Sequence, residues 1–232
     1  MPPTAIVTGA GRGIGKETAL QLTELGMSVA VCSRTKSELD QTVKEMKQIH
    51  DRVVGLVCDA GRSAQVNAFV EKVVDKLGPI DVLINNAGIA FVKPIVNTTE
   101  KEWDETISSN LKSAFLFTRK VLPGMIRRKT GTIVNVSSGA GKVGFENLSA
   151  YCASKFGLMA LTESVSWEVA SHNIRVMAIC PGEVATKMQE AASPTYYRMN
   201  RAKMLQPGAV ASKIVEMITQ ASTYSNGQSV DI

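Results

Sequence analysis

The segment from Pro3 to Gly26 constrains the fold more than any other part of the chain. Pro3-Thr4-Ala5-Ile6-Val7-Thr8 is short, apolar and rich in β-formers, which predicts a buried strand. It runs directly into Gly9-Ala10-Gly11-Arg12-Gly13-Ile14-Gly15. A helical pattern follows, with Ala19, Leu20, Leu22 and Leu25 apolar, and it stops at Gly26. Glycines let a backbone approach a pyrophosphate closely, and a helix N-terminus offers free N–H groups and a favourable dipole. Strand, glycine turn and helix in this order predict a dinucleotide-binding loop.

The rest of the chain repeats the alternation. Further strands are predicted at about 28–32, 53–58, 81–85, 131–137, 174–180 and 228–231. Helices are predicted at about 35–49, 63–77, 99–129 (as two helices), 149–171 and 207–221. Strands alternating with helices imply βαβ crossovers. The expected fold class is α/β: a doubly wound Rossmann-type domain, with a seven-stranded, mostly parallel sheet and helices on both faces. The 232 residues suit one catalytic domain spanning 1–232, with neither linker nor repeat. Residues 183–206 break the rhythm. They are rich in Met, Tyr, Ser and Pro, and they predict a flexible lid over a substrate.

Composition excludes several classes. A net charge of +5 without a basic stripe interleaved with aromatics argues against nucleic acid. Arg127-Arg128-Lys129 closes a helical pattern, where cations complement the helix dipole. No run approaches the ~18 apolar residues of a membrane span, and the start, Met-Pro-Pro, leads straight into a strand rather than a signal peptide. Cys32, Cys58, Cys152 and Cys180 are scattered without metal-ligand spacing, so no metal site is expected and the thiols suit a cytoplasmic protein. His50 and His172 fall near helix ends and are assigned no chemistry.

Sheets of this kind bind ligands at the carboxyl ends of their strands. Asn85-Asn86-Ala87-Gly88, Ser137-Ser138 and Pro181-Gly182 each follow a predicted strand, so they share one sheet edge. Tyr151 and Lys155 stand four apart in a predicted helix, on one face. A free phenol has a pKa near ~10. A cation about 5 Å away, at an effective dielectric of about 20, favours the phenolate by roughly 3 kcal/mol, or about two pKa units. The pair therefore points to proton transfer.

These residues together resemble the short-chain dehydrogenase/reductase family over essentially the whole chain. The matching pieces are Thr8 to Gly15, Cys58-Asp59, Asn85-Asn86-Ala87-Gly88, Asn110, Ser138, Tyr151 with Lys155, and Pro181-Gly182 with Thr186. The resemblance implies that Tyr151 is the general acid in carbonyl reduction. Lys155 would lower the Tyr151 pKa and bond the nicotinamide ribose. Ser138 would donate to the substrate oxygen, and Asn110 would hold a water that relays protons to Lys155. For the cofactor, Gly9, Arg12, Gly13, Ile14 and Gly15 would line the phosphate and ribose path. Asp59 and Ala60 would meet the adenine. Asn85 and Ala87 would meet the adenosine-side ribose, with Asn86 bracing the sheet. Thr186, after Pro181 and Gly182, would bind the carboxamide.

NAD-specific members usually carry an acid at the end of the second strand. This chain has Cys32-Ser33-Arg34-Thr35-Lys36 there. An arginine pairs with a 2′-phosphate that a carboxylate would repel. Arg34 and Ser33, with Arg12 nearby, therefore favour NADP(H) over NAD(H). The similarity is strongest to 3-oxoacyl-[acyl-carrier-protein] reductase-like members, implying a 3-oxoacyl thioester substrate. A sugar, a polyol or a small aldehyde or ketone stays open within the same class. A non-catalytic nucleotide-sensing protein is the alternative of another class. The lid residues Met188, Met199, Met204, Tyr196 and Tyr197 are expected to cover a substrate, and Lys187, Arg198, Arg201 and Lys203 to attract an anionic carrier. Phe115, Phe117, Phe156, Leu158, Met159, Leu161 and Trp167 exceed one core-facing stripe, and the resemblance implies a homotetramer. Many members continue past the last strand, whereas this chain ends at Asp231-Ile232, so a dimer is the fallback. Cys152, beside the tyrosine, is read as a small buried residue.

Overall fold

The computed structural model describes residues 2–232. The first strand, β1 (Thr4–Thr8), is buried at all five positions. Successive side chains of a strand point to opposite faces, and β1 shows it: Ala5 and Val7 enter one core, Ile6 the other. Helix α1 (Gly13–Glu24) leads to β2 (Ser28–Ser33), α2 (Lys36–Ile49), β3 (Val53–Val57), α3 (Ser63–Leu77) and β4 (Val82–Asn85). The second half holds α4 (Glu100–Ile107), α5 (Ser113–Arg128), β5 (Gly131–Val136), α6 (Ser149–Glu168) and β6 (Ile174–Cys180). After α7 (Lys187–Ala192), α8 (Pro194–Asn200) and α9 (Pro207–Thr219), the chain closes with β7 (Ser229–Asp231).

The seven strands form one sheet in the order β3-β2-β1-β4-β5-β6-β7. Every pairing is parallel, where the sequence predicts a mostly parallel sheet. One core lies under α1, α2 and α9, with Leu22, Leu39, Met46 and Ile214 fully or almost fully buried. The other lies under α3, α5 and α6, where Phe69 meets Phe117 edge to face at 5.8 Å. Strand order reverses between β1 and β4, so the crevice for a ligand opens beyond the carboxyl ends of these two strands.

Two segments differ from expectation. Residues 100–128 hold the two expected helices, but no loop separates them. A capping box between Thr99 and Glu102 starts α4, and a π turn at Ser108–Lys112 joins α4 to α5, with Ser113 N–H bonded to Ser108 O. The π turn turns Asn110 inward, to 1 % exposure. Residues 183–206 hold the short helices α7 and α8, tied at their base by a bridge between Val184 and Leu205. Among the described residues, no helix is long and apolar enough to cross a membrane.

Candidate active site

A cavity of about 570 Å³ runs along the carboxyl edge of the sheet. At one end lies the glycine turn. Gly9 and Gly13 have φ of +66° and +58°, a region that favours glycine. A Cβ on Gly9 would lie 2.8 Å from the Cα of Ala87, so only glycine lets the loop pass over the end of β4. Thr8 fastens the two together, its Oγ1 accepting from the N–H groups of Asn86 and Ala87 at 3.0 Å each. The N-cap of α1, Arg12, makes no side-chain cap. The N–H groups of the first turn thus stay available to an anion in the cavity.

Many of the residues singled out in the sequence share the walls of this cavity. Gly9, Arg12, Gly13 and Ile14 line the cavity, as do Ser33 and Arg34 after β2, Asp59 and Ala60 after β3, and Ala87 after β4. Ser138, Tyr151, Lys155, Pro181, Gly182 and Thr186 line its other half. The structure corrects the assignment of the two asparagines. Asn85 is buried beneath the edge, donating to Asn135 Oδ1 at 2.8 Å and Thr118 Oγ1 at 3.2 Å, and it does not reach the cavity. Asn86 lines the cavity and donates to the carbonyls of Thr8 and Gly9. Gly15 also lies outside the cavity. Its role is packing, because a Cβ there would collide with the Asn86 amide and the Gly9 carbonyl.

Tyr151 and Lys155 project from the first turns of α6 toward the end of β5. Lys155 is 4 % exposed, donates from Nζ to the Val136 carbonyl at 2.7 Å, and lies over the Tyr151 ring, 5.6 Å from its centroid. Burial lowers the ammonium pKa to about 8. Burial pushes the phenol pKa up, and the Ser138 hydroxyl beside it pulls the other way. The expected two-unit depression of the phenol by the lysine is therefore not present: desolvation outweighs it, and the ammonium is spent on a carbonyl beneath the ring. At neutral pH the phenol keeps its proton and the lysine its charge.

Ser138 caps a short turn, its Oγ accepting from the Ala140 N–H at 3.2 Å, which leaves its own proton free to donate. Asn110 departs from expectation. Its Oδ1 accepts from Ile89 N–H at 2.7 Å, and its Nδ2 donates to Ile89 O and Ser154 Oγ at 2.9 Å each. It does not line the cavity. It braces the loop after β4 against α6, one residue from Lys155, rather than presenting its amide to a water.

Sequence reasoning missed Glu38. It looked for an acid at the end of β2 and found none, yet the first turn of α2 brings the Glu38 carboxylate into the same corner. Cys32 and Cys58 also reach the cavity wall. Cys152 is buried and accepts from the Phe145 N–H, as a small interior residue. In the segment over the cavity, Met188 and Tyr196 line it with Val92, Phe145 and Leu148, which makes this half apolar. Tyr197 does not line it, Met199 is 77 % exposed and Met204 is buried beside it.

Comparison with known proteins agrees with this geometry. The family profile described as short chain dehydrogenase matches residues 3–196. A 3-oxoacyl-[acyl-carrier-protein] reductase of Thermotoga maritima is 38 % identical over 232 residues, covering 98 % of this chain and 94 % of that protein. A granaticin polyketide synthase putative ketoacyl reductase of Streptomyces violaceoruber is 40 % identical over 196 residues, covering 84 % and 72 %. Among solved structures, an actinorhodin polyketide ketoreductase with NADPH superposes with a TM-score of 0.93 at 32 % identity, covering 100 % of this chain and 95 % of that one. Levodione reductase also gives 0.93, at 29 % identity and 99 % and 95 % coverage.

Proposed function

This chain belongs to the short-chain dehydrogenase/reductase family, a family of nicotinamide-dependent oxidoreductases, and from that premise we propose that it reduces the carbonyl of a 3-oxoacyl thioester with NADPH. One observation carries the reading. A protonated phenol, a free hydroxyl proton and a buried ammonium converge at one end of a cavity whose other end is an uncapped helix N-terminus.

The fit to a dinucleotide rests on that uncapped terminus and on the glycine turn, with Gly9 and Gly13 at positive φ, that seats it at the cavity wall. The backbone at Gly13 and Ile14 would hold the pyrophosphate, and Arg12 would stand on the ribose side, toward Arg34. Arg34, which has no carboxylate partner among the described residues, would meet the 2′-phosphate, with Ser33 beside it. Asp59 and Ala60 would face the adenine, and Pro181, Gly182 and Thr186 the nicotinamide end. When bound, NADPH supplies a hydride.

The protein's own groups do the rest. Ser138 donates to the substrate oxygen and stabilises the charge that develops there. Tyr151 gives its proton to that oxygen. Lys155 fixes the ring from below and, on the nicotinamide side, donates to the ribose. Asn110 keeps Lys155 in place through Ile89 and Ser154.

The substrate assignment is supported by the ketoacyl reductase names among the relatives and by the apolar half of the cavity. The test is NADPH oxidation with acetoacetyl-CoA beside a panel of small ketones, aldehydes and sugars. Turnover on the thioester above the panel supports the reading. Turnover only on sugars, or only of polyols with NADP+ in the reverse direction, overturns it. We also propose self-association through α5 and α6. Phe117 and Leu158 are core, but Phe115, Phe156 and Trp167 stay 43–73 % exposed. Light scattering at micromolar concentration should give a tetramer, or at least a dimer; a monomer rejects the proposal.

A further inference from the structure

We propose that Glu38 is a specificity-determining residue, one that limits how strongly this cavity prefers a phosphorylated ribose by occupying two of the cations that would otherwise meet the phosphate. The proposal rests on the dinucleotide reading above and adds a residue which that reading does not use.

Glu38 sits at a built position. It lies in the first turn of α2, four residues after Arg34. A Cβ on Gly11 would lie 3.2 Å from the Glu38 Cβ, and Thr42, one turn on, donates to the Gly11 carbonyl at 3.3 Å. The start of α2 is therefore seated on the glycine loop, which fixes where the Glu38 side chain leaves the backbone. Arg12 Nη1 reaches both Glu38 oxygens, at 3.0 and 3.1 Å. Lys187, the first residue of α7, donates to Oε1 at 3.2 Å. Burial pushes the Glu38 carboxyl up, but the bonds from Arg12 and Lys187 outweigh it and hold the group below its usual range. It is therefore an anion at neutral pH.

The corner thus holds three cations, Arg12, Arg34 and Lys187, around one carboxylate. All four line the cavity. An arriving phosphate meets like charge at Glu38 and finds two of its natural partners engaged. The side-chain exposures, 54 % for Arg12 and 67 % for Lys187, mean that these pairs are exchangeable rather than locked. Glu38 thus opposes the phosphate twice, by repulsion and by competition for donors. A nucleotide without the phosphate suffers neither effect.

The test uses nucleotide halves, so it needs no substrate and no turnover. Binding of 2′,5′-ADP and 5′-AMP is measured by calorimetry on the full chain, for the wild type, Glu38→Gln, Arg12→Gln/Lys187→Gln, and the triple variant. Glu38→Gln should tighten 2′,5′-ADP about tenfold, as loss of one opposing charge and release of two charge-assisted donors implies, and leave 5′-AMP within about twofold. The gain should shrink at high salt. Adding Glu38→Gln to the Arg12→Gln/Lys187→Gln background should give a smaller gain, the part due to repulsion alone. Equal effects on both nucleotides, weaker 2′,5′-ADP binding, or a full gain in the absence of both cations would each overturn the proposal. The NADPH reading fails separately: it falls if the wild type binds 5′-AMP as tightly as 2′,5′-ADP, whatever Glu38→Gln does to the ratio.

Discussion

The glycine-loop end of the cavity and the segment that covers its other end are built from different materials. At the first, the wall is backbone and buried side chains. Thr8 holds two amides of the loop after β4, Gly9 rests on Ala87, and Asn85 bonds across to Asn135 on the neighbouring strand. At the second, the wall is two short helices on a narrow base. Tyr196 is 44 % exposed and is held by a bond to Glu183 at 3.0 Å. Few buried contacts and exposed hydrogen bonds mark a region of low local stability. The contrast separates two tasks: reacting groups sit on rigid elements, where position decides rate, and the choice of substrate is left to a cover that can change its shape.

The largest effect should come from the rigid side. Tyr151→Phe should keep fold and cofactor affinity but lower kcat at least ~10²-fold, since it removes only the transferable proton. Steady-state kinetics beside a thermal melt checks this, and near-wild-type turnover would remove Tyr151 as the acid.

Lys155 comes next, through pH. Its pKa of about 8 in the folded chain lies below the ordinary 10.5. The ammonium loses its charge as pH rises through about 8, so NADPH affinity of the free enzyme should fall there, and Lys155→Met should abolish that step. Stability should move the opposite way. Between about 8 and 10.5 the unfolded chain binds more protons than the folded one, so this residue makes stability rise with pH across the window. Melts of wild type and Lys155→Met from neutral to alkaline pH test the sign.

Arg34→Asp probes the glycine-loop end. It removes one charge-assisted pair and adds repulsion, so the ratio of kcat/KM for NADPH over NADH should drop by about tenfold or more. An unchanged ratio would place the phosphate elsewhere. The smallest effect belongs to the cover. Neutralising Arg198, Arg201 and Lys203 together should raise KM for an acyl-CoA by about two- to fivefold, more at low salt, and leave a small uncharged ketone alone. Equal responses would erase the proposed division of labour. Amide hydrogen exchange adds a check, with faster exchange expected in 183–206 than in the loop after β1, slowing when cofactor binds.

Most of the architecture was legible because its signals are local. Every strand, and every helix but α7 and α8, lies close to its predicted range, since apolar period and glycine breaks report directly on backbone form. The misreadings have separate physical causes. Asn85 and Asn86 are adjacent at a strand end, where successive side chains point opposite ways, and no pattern in four residues says which faces the ligand. The π turn at Ser108–Lys112 was invisible because a five-residue widening leaves hydrophobic spacing nearly unchanged. Glu38 gives no signal at the strand end itself, because a helical turn carries its carboxylate back into the corner.

The sequence by itself determined the alternation of strands and helices, the glycine turn, the presence of a tyrosine and a lysine on one helical face, and the family. Those properties depend on neighbours within a few positions. Only the tertiary structure decided what each charge and each amide meets. Lys155 sits four residues from Tyr151 in sequence, yet its ammonium bonds to Val136 on another element, and burial there governs both pKa values. Arg12, Glu38 and Lys187 are far apart along the chain and become one cluster because α2 and α7 begin at the same edge of the sheet. Electrostatic energy depends on distance and on exclusion of water, and neither is written in the order of residues.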